Sequence, residues 1–142
     1  VVVLCGAGLM GTLIAGAVPA TAFADLLALA GLHGTPVAVL VLVLMAALPQ
    51  LGLNPILVAT ITLSSMAEPQ LFGLAPELLA LATMCGWTLA IGCAPVTTSI
   101  LIASRMADVS PQTAGWSWNG GFTAAATVLL AGWILVLGYA VF

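Results

Sequence analysis

The sequence is nearly without charge. Of 142 residues only Asp25, Glu68, Glu77, Arg105 and Asp108 carry a full charge at neutral pH, whereas 63% of the chain is apolar. A soluble domain is about one-quarter charged because its surface faces water. This surface must face an apolar medium, so the expected class is an integral membrane protein. A single basic residue makes no positive patch, which leaves nucleic-acid binding without support. There is one histidine, there are no paired carboxylates at working spacing, and neither GxSxG nor HExxH occurs. The expectation is therefore no enzyme. Cys5, Cys85 and Cys93 show no CxxC or metal-ligand spacing and read as small apolar residues, so no metal site is expected. An initiator methionine and a basic leader are also missing, and the chain is read as the C-terminal piece of a longer protein.

What is present is a set of charge-free stretches: Val1 to Ala24, Leu26 to Ala67, Leu78 to Ser104 and Val109 to Phe142. Each exceeds the roughly 20 residues needed to cross a hydrocarbon core. Residues 1–18 read as a glycine-rich membrane helix ending at Pro19. Within it Gly6-Ala7-Gly8-Leu9-Met10-Gly11 matches the dinucleotide fingerprint GxGxxG. No second strand ending in a carboxylate follows, and that reading is set aside. Residues 20–32 are too short to span and read as an interfacial helix, with His33 as a loop residue.

Residues 37–66 carry no charge, yet their middle reads Leu48-Pro49-Gln50-Leu51-Gly52-Leu53-Asn54-Pro55. A straight helix over the whole charge-free run would be about 46 Å long, and its prolines would break it. Two arms of about 16 to 18 Å each reach only the midplane of a bilayer, which describes a re-entrant hairpin. The alternative is two complete tilted helices joined by an extramembrane turn. Residues 77–107 carry a similar interruption, Gly92-Cys93-Ala94-Pro95-Val96-Thr97-Thr98-Ser99. It predicts half-helices over 77–91 and 96–107, against the alternative of one proline-kinked helix. Residues 111–118, with Trp116 and Trp118, read as an interfacial anchor. Asn119-Gly120-Gly121 marks the start of a last span over 121–142. The fold class is thus an all-α polytopic bundle, residues 1–142 forming one transmembrane domain with a re-entrant hairpin and a discontinuous helix.

Backbone groups freed at a break need partners, and a solute or ion can supply them. A half-helix N-terminus presents unpaired N–H groups to an anion, while free carbonyls suit a cation. Carbonyls at Gly92, Cys93 and Ala94 are candidate ligands for Na⁺, with Pro95 making the break. Amides and hydroxyls of Thr97, Thr98 and Ser99 are candidates for an anion. Gly52, Asn54 and Pro55 at the hairpin tip would complete a site of the kind that secondary transporters build from discontinuous helices. The expected function is ion-coupled carriage of a small organic or inorganic anion by alternating access, with Na⁺ or H⁺ as coupling ion. The other class considered is a non-transporting membrane scaffold or assembly subunit, for which the glycines and prolines are packing devices.

The order span, interfacial helix, hairpin, broken helix, amphipathic segment and last span resembles the C-terminal repeat of the ion transporter superfamily, which includes divalent anion/sodium symporters and citrate–metal transporters. Leu53-Asn54-Pro55 stands where the symporters carry Ser-Asn-Thr, and Ala94-Pro95-Val96-Thr97-Thr98 where they carry a Thr-Pro-type signature. The resemblance implies an inverted repeat upstream as partner for the site. A second copy of the chain is a further candidate partner beside the lipid bilayer. It also implies residence in a bacterial-type inner membrane. Arg105, through the positive-inside rule, places the end of the broken helix in the cytoplasm and Phe142 outside.

Overall fold

The computed structural model describes residues 2–17 and 20–141 and is all-helical, with no strand among the described residues. Seven α-helices follow in order: α1 Val2–Ala17, α2 Ala20–Leu29, α3 Thr35–Ala47, α4 Pro55–Ser65, α5 Pro76–Cys93, α6 Thr98–Met106 and α7 Trp118–Ala140. Single 3₁₀ turns at Leu48–Leu51 and Pro69–Phe72 extend α3 and precede α5, and a π-helical turn at Thr113–Ser117 runs into α7.

Proline sets most of these boundaries. Pro36, Pro49, Pro55, Pro69, Pro76 and Pro111 all stand in the first turn of a helical segment. There the missing N–H costs nothing and the fixed φ favours helix initiation. Pro19 lies outside the described residues, which leaves Pro95 as the described proline that interrupts a helical run instead of opening one. Because α1 is helical from Val2 through Gly11, the strand and tight turn that a dinucleotide fingerprint requires are not formed.

The segment between α2 and α5 leaves a point and returns to it. The Gly34 N–H donates to the Phe72 carbonyl at 2.7 Å, closing the ends of residues 34–72 on each other. Gly34 (φ 66°) and Gly73 (φ 64°) both occupy the left-handed region, and a Cβ on Gly73 would collide with the His33 ring. Between these ends α3 runs out, the chain turns at Gly52 (φ 96°), and α4 runs back.

The core is built by α3, α5 and α7. Val37, Ala38, Val41, Leu42 and Met45 of α3 are buried with Leu78, Ala82 and Leu89 of α5 and Ile134 of α7. Gly86 sits where a Cβ would meet the Leu42 carbonyl oxygen at 2.7 Å, so its hydrogen is what lets α3 and α5 approach. α7 lies antiparallel to α3. Its Gly138 is pressed against Thr35 at one end, and Trp116, just before it, reaches Gln50 at the other. α4 packs mainly along α1.

Two continuous or near-continuous runs, Pro76–Met106 and Thr113–Ala140, are long and apolar enough to cross a membrane. The apolar helices Thr35–Leu51 and Pro55–Ser65 are shorter. α7 leaves Phe122, Val128, Leu129, Trp133 and Val136 exposed.

Several boundaries differ from the sequence reading. The last helix does not begin at Asn119-Gly120-Gly121. Residues 111–118 and 121–142 are not separate elements, because helix runs from Pro111 through the π turn to Ala140. The Asn119 amide explains this, as its Nδ2 donates to the Ala114 carbonyl at 3.1 Å and satisfies an acceptor of the π turn. Nor does Gly92 start the break: it is helical, and α5 continues to Cys93. Ala94 leaves helical geometry (φ −69°, ψ 127°) because the following Pro95 disfavours the α region for the residue before it.

Candidate functional site

At the tip, Gly52 takes the positive φ that ends the 3₁₀ turn, and Asn54 (φ −66°, ψ 127°) opens α4. Its side-chain oxygen accepts from the Ile56 N–H at 2.8 Å, with Pro55 between them. This cap consumes the N–H of Ile56, Pro55 has none, and the Leu57 N–H is the free donor of the first turn. The Asn54 carboxamide nitrogen has no protein partner among the described residues.

At the break the arrangement is the reverse. Thr97 (φ −79°, ψ 146°) stands before α6 but gives it no side-chain cap. Its hydroxyl turns back instead toward the Ala94 carbonyl at 2.8 Å and the Ile91 carbonyl at 3.1 Å. Ile91 is the carbonyl that Pro95, lacking an N–H, leaves without its helical donor. The first turn of α6 is therefore uncapped, leaving the amides of Thr98, Ser99 and Ile100 available. The hydroxyls of Thr98 and Ser99 make no hydrogen bond to the described residues, and both residues are exposed.

These two helix starts line one cavity of about 240 Å³, with Asn54, Pro55 and Ile56 on one side and Val96, Thr97, Thr98 and Ser99 on the other. Trp87 and Ile91 of α5 also line it. More than forty positions separate Asn54 from Thr97 in the chain, and the joint packing of α3, α4 and α5 brings them together.

The ten expected residues thus divide. Asn54, Pro55, Thr97, Thr98 and Ser99 share the cavity, whereas Gly52, Gly92, Cys93, Ala94 and Pro95 do not line it. Two of the three expected carbonyl ligands are already engaged. Ala94, fully buried, gives its oxygen to both the N–H and the hydroxyl of Thr97. The Cys93 carbonyl is covered by Gly115, where a Cβ would collide with it, and the Cys93 thiol donates to the Gly115 carbonyl at 3.5 Å. The Cys93 and Ala94 carbonyls thus already have close neighbours, whereas a Cβ on Gly92 would meet nothing within 4 Å. Trp87 and Ile91 were not among the expected residues. Their signal was their spacing, since they stand one helical turn apart on α5 and point toward the break.

The π turn ties the tip and the break to α7. Gly115 lies against Cys93, and the Trp116 indole N–H donates to the Gln50 side-chain oxygen at 3.0 Å. The Gln50 nitrogen in turn donates to the Ala46 carbonyl at 3.2 Å. Measured along α7, the cavity therefore lies near the N-terminal end and not beside its middle. Along the α5–α6 run it is likewise off-centre, about 24 Å of helix from Glu77 and about 12 Å from Arg105. No group of three metal-ligating side chains occurs among the described residues.

Compared with protein-family models, curated proteins and solved structures, the chain matches none.

Proposed function

We propose that this chain is the substrate-binding half of a secondary transporter for a small anion, resident in a cell membrane. The single observation that carries the reading is that the starts of α4 and α6 open on the same cavity. Irregular backbone between apolar helices is tolerated in a bilayer only where protein or a water-filled cavity receives it, and here both interruptions face one cavity. The short apolar helices fit a re-entrant pair, since α4 with 11 residues is only about 16 Å long.

Anion selectivity follows from the donors. The free amides and hydroxyls of Thr98 and Ser99 at the start of α6, with the Asn54 carboxamide nitrogen opposite, offer hydrogen to a ligand without a fixed charge. The apolar wall of Trp87, Ile91 and Val96 lowers the local dielectric and strengthens those bonds. A coupling ion, Na⁺ or H⁺, would use the Gly92 carbonyl or residues of an upstream inverted repeat. α5 and α6 are then the moving parts of an alternating-access cycle, hinged at Ala94–Thr97.

Uptake by the full-length protein in proteoliposomes tests this against a panel of sulfate, phosphate and mono-, di- and tricarboxylates. Asn54→Ala and Ser99→Ala are expected to lower ion-dependent uptake about tenfold or more while leaving insertion intact. Full uptake in both variants would remove the site, and a protein that moves no anion of the panel would favour the scaffold class.

A further inference from the structure

A second cavity, of about 230 Å³, lies at the opposite end of α3 from the tip, among the first turns of α3 and α5 and the last turn of α7. Three polar side chains line it, and none has a hydrogen-bond partner among the described residues: the Thr35 hydroxyl, the His33 ring and the Tyr139 hydroxyl. Thr35 is only 8% exposed. Among the described residues no fully buried side-chain oxygen or nitrogen lacks a partner, so the Thr35 oxygen keeps its access through the cavity it lines. The helix start beside it adds a donor, because Gly34 supplies no cap and Pro36 has no N–H, leaving the Thr35 amide free.

The charges around this end have one sign. Glu77 stands in the first turn of α5, between the lining residues Ala75 and Leu78, and Glu68 opens the adjoining 3₁₀ turn. Asp25 is on α2, which packs on that turn. The one fixed cation, Arg105, is on α6 beyond the break. A bare anion would find neutral donors here, acidic residues on the segments adjoining the lining ones, and no cation among the lining residues. A ligand that joins a phosphate to an ammonium group meets both features.

We propose that this cavity receives the headgroup of a zwitterionic phospholipid bearing a primary ammonium, a phosphatidylethanolamine. The phosphate accepts from the Thr35 hydroxyl and amide, the His33 ring and the Tyr139 hydroxyl, and the ammonium faces Glu77. The cavity level suits this ligand, since it coincides with the last turn of the apolar α7 and with the acidic boundary residues, where headgroups lie. The inference rests on the membrane reading but not on transport.

Native mass spectrometry of the full chain, released from nanodiscs and titrated with defined lipids, tests it. Phosphatidylethanolamine is expected to bind at least about tenfold more tightly than phosphatidylglycerol, and Thr35→Val or Tyr139→Phe to weaken it about tenfold. Glu77→Gln is expected to erase the preference between the two lipids. Equal binding of both lipids to the unaltered chain, or displacement of the lipid by millimolar inorganic phosphate, would overturn the proposal. So would unchanged binding in the exposed Tyr139→Phe variant, which keeps the test open should Thr35→Val fail to fold. A chain that does not enter nanodiscs overturns the membrane reading itself; one that enters without headgroup selectivity overturns only this site.

Discussion

Thr97 does the work of a missing backbone donor. Its hydroxyl serves the two carbonyls, Ile91 and Ala94, that the break leaves near the end of α5, and by turning that way it leaves the start of α6 open. Replacing it with the isosteric valine strands the Ile91 carbonyl, while Ala94 keeps the Thr97 N–H, so Thr97→Val is expected to lower stability by about 1 to 3 kcal/mol, with Thr97→Ser restoring most of it. Thermal unfolding of the purified protein in detergent measures both. Glycines divide as sharply. At Gly115 a Cβ would enter the Cys93 carbonyl, whereas at Gly120 nothing lies within 4 Å. Gly115→Ala is expected to cost about 1 to 3 kcal/mol, and Gly120→Ala to be neutral or to stabilise by up to about 1 kcal/mol through helix propensity. The same unfolding measurement separates them. Nothing in the local sequence distinguishes these two positions, because close approach is a property of the neighbour. The role of Asn54 was closer to the surface of the sequence: an Asn-Pro pair before an apolar run is a helix start wherever it occurs.

At the scale of elements, prolines made the sequence legible. Six of them open helical segments, and the interruptions at residues 48–55 and 92–99 both appear in the fold, the second narrowed to Ala94–Thr97. The sequence reading took Pro95 as the cause of the break with Gly92 easing the exit from the helix; in the fold Pro95 acts on Ala94 while Gly92 stays helical. Pro95→Ala restores both the N–H and the helical freedom of residue 94. The expected result is a continuous α5–α6 helix in which the amides of residues 98–100 acquire acceptors and exchange hydrogen more slowly. Unchanged exchange there would mean that packing on the π turn, not the proline, holds the break. The opposite error occurred at Asn119-Gly120-Gly121, a strong local stop signal overridden by a side-chain bond to Ala114 one turn back. That bond depends on the π turn, which has no plain signature in composition or spacing.

For the whole molecule, scarcity of charge announced apolar surroundings, and two runs long and apolar enough to cross a membrane agree with it. Sequence could not say that the tip and the break would meet, since that depends on α3, α4 and α5 packing side by side. Both interruptions are central in their own apolar stretches but stand near one end of α7. The molecule is thereby polarised, with an uncapped, donor-rich cavity toward the Arg105 end and an acidic boundary with a second cavity at the other. The central claim is that tip and break form one solute site. The most direct measurement is solute protection of cysteines placed on its two walls, Ile56→Cys and Val96→Cys, in the full-length protein with Cys5, Cys85 and Cys93 replaced. Both lining residues leave the donors intact. The account predicts that each reacts with a water-soluble thiol reagent and that the same small anion slows both reactions together. Labelling of both at rates that no anion of the panel alters would contradict it.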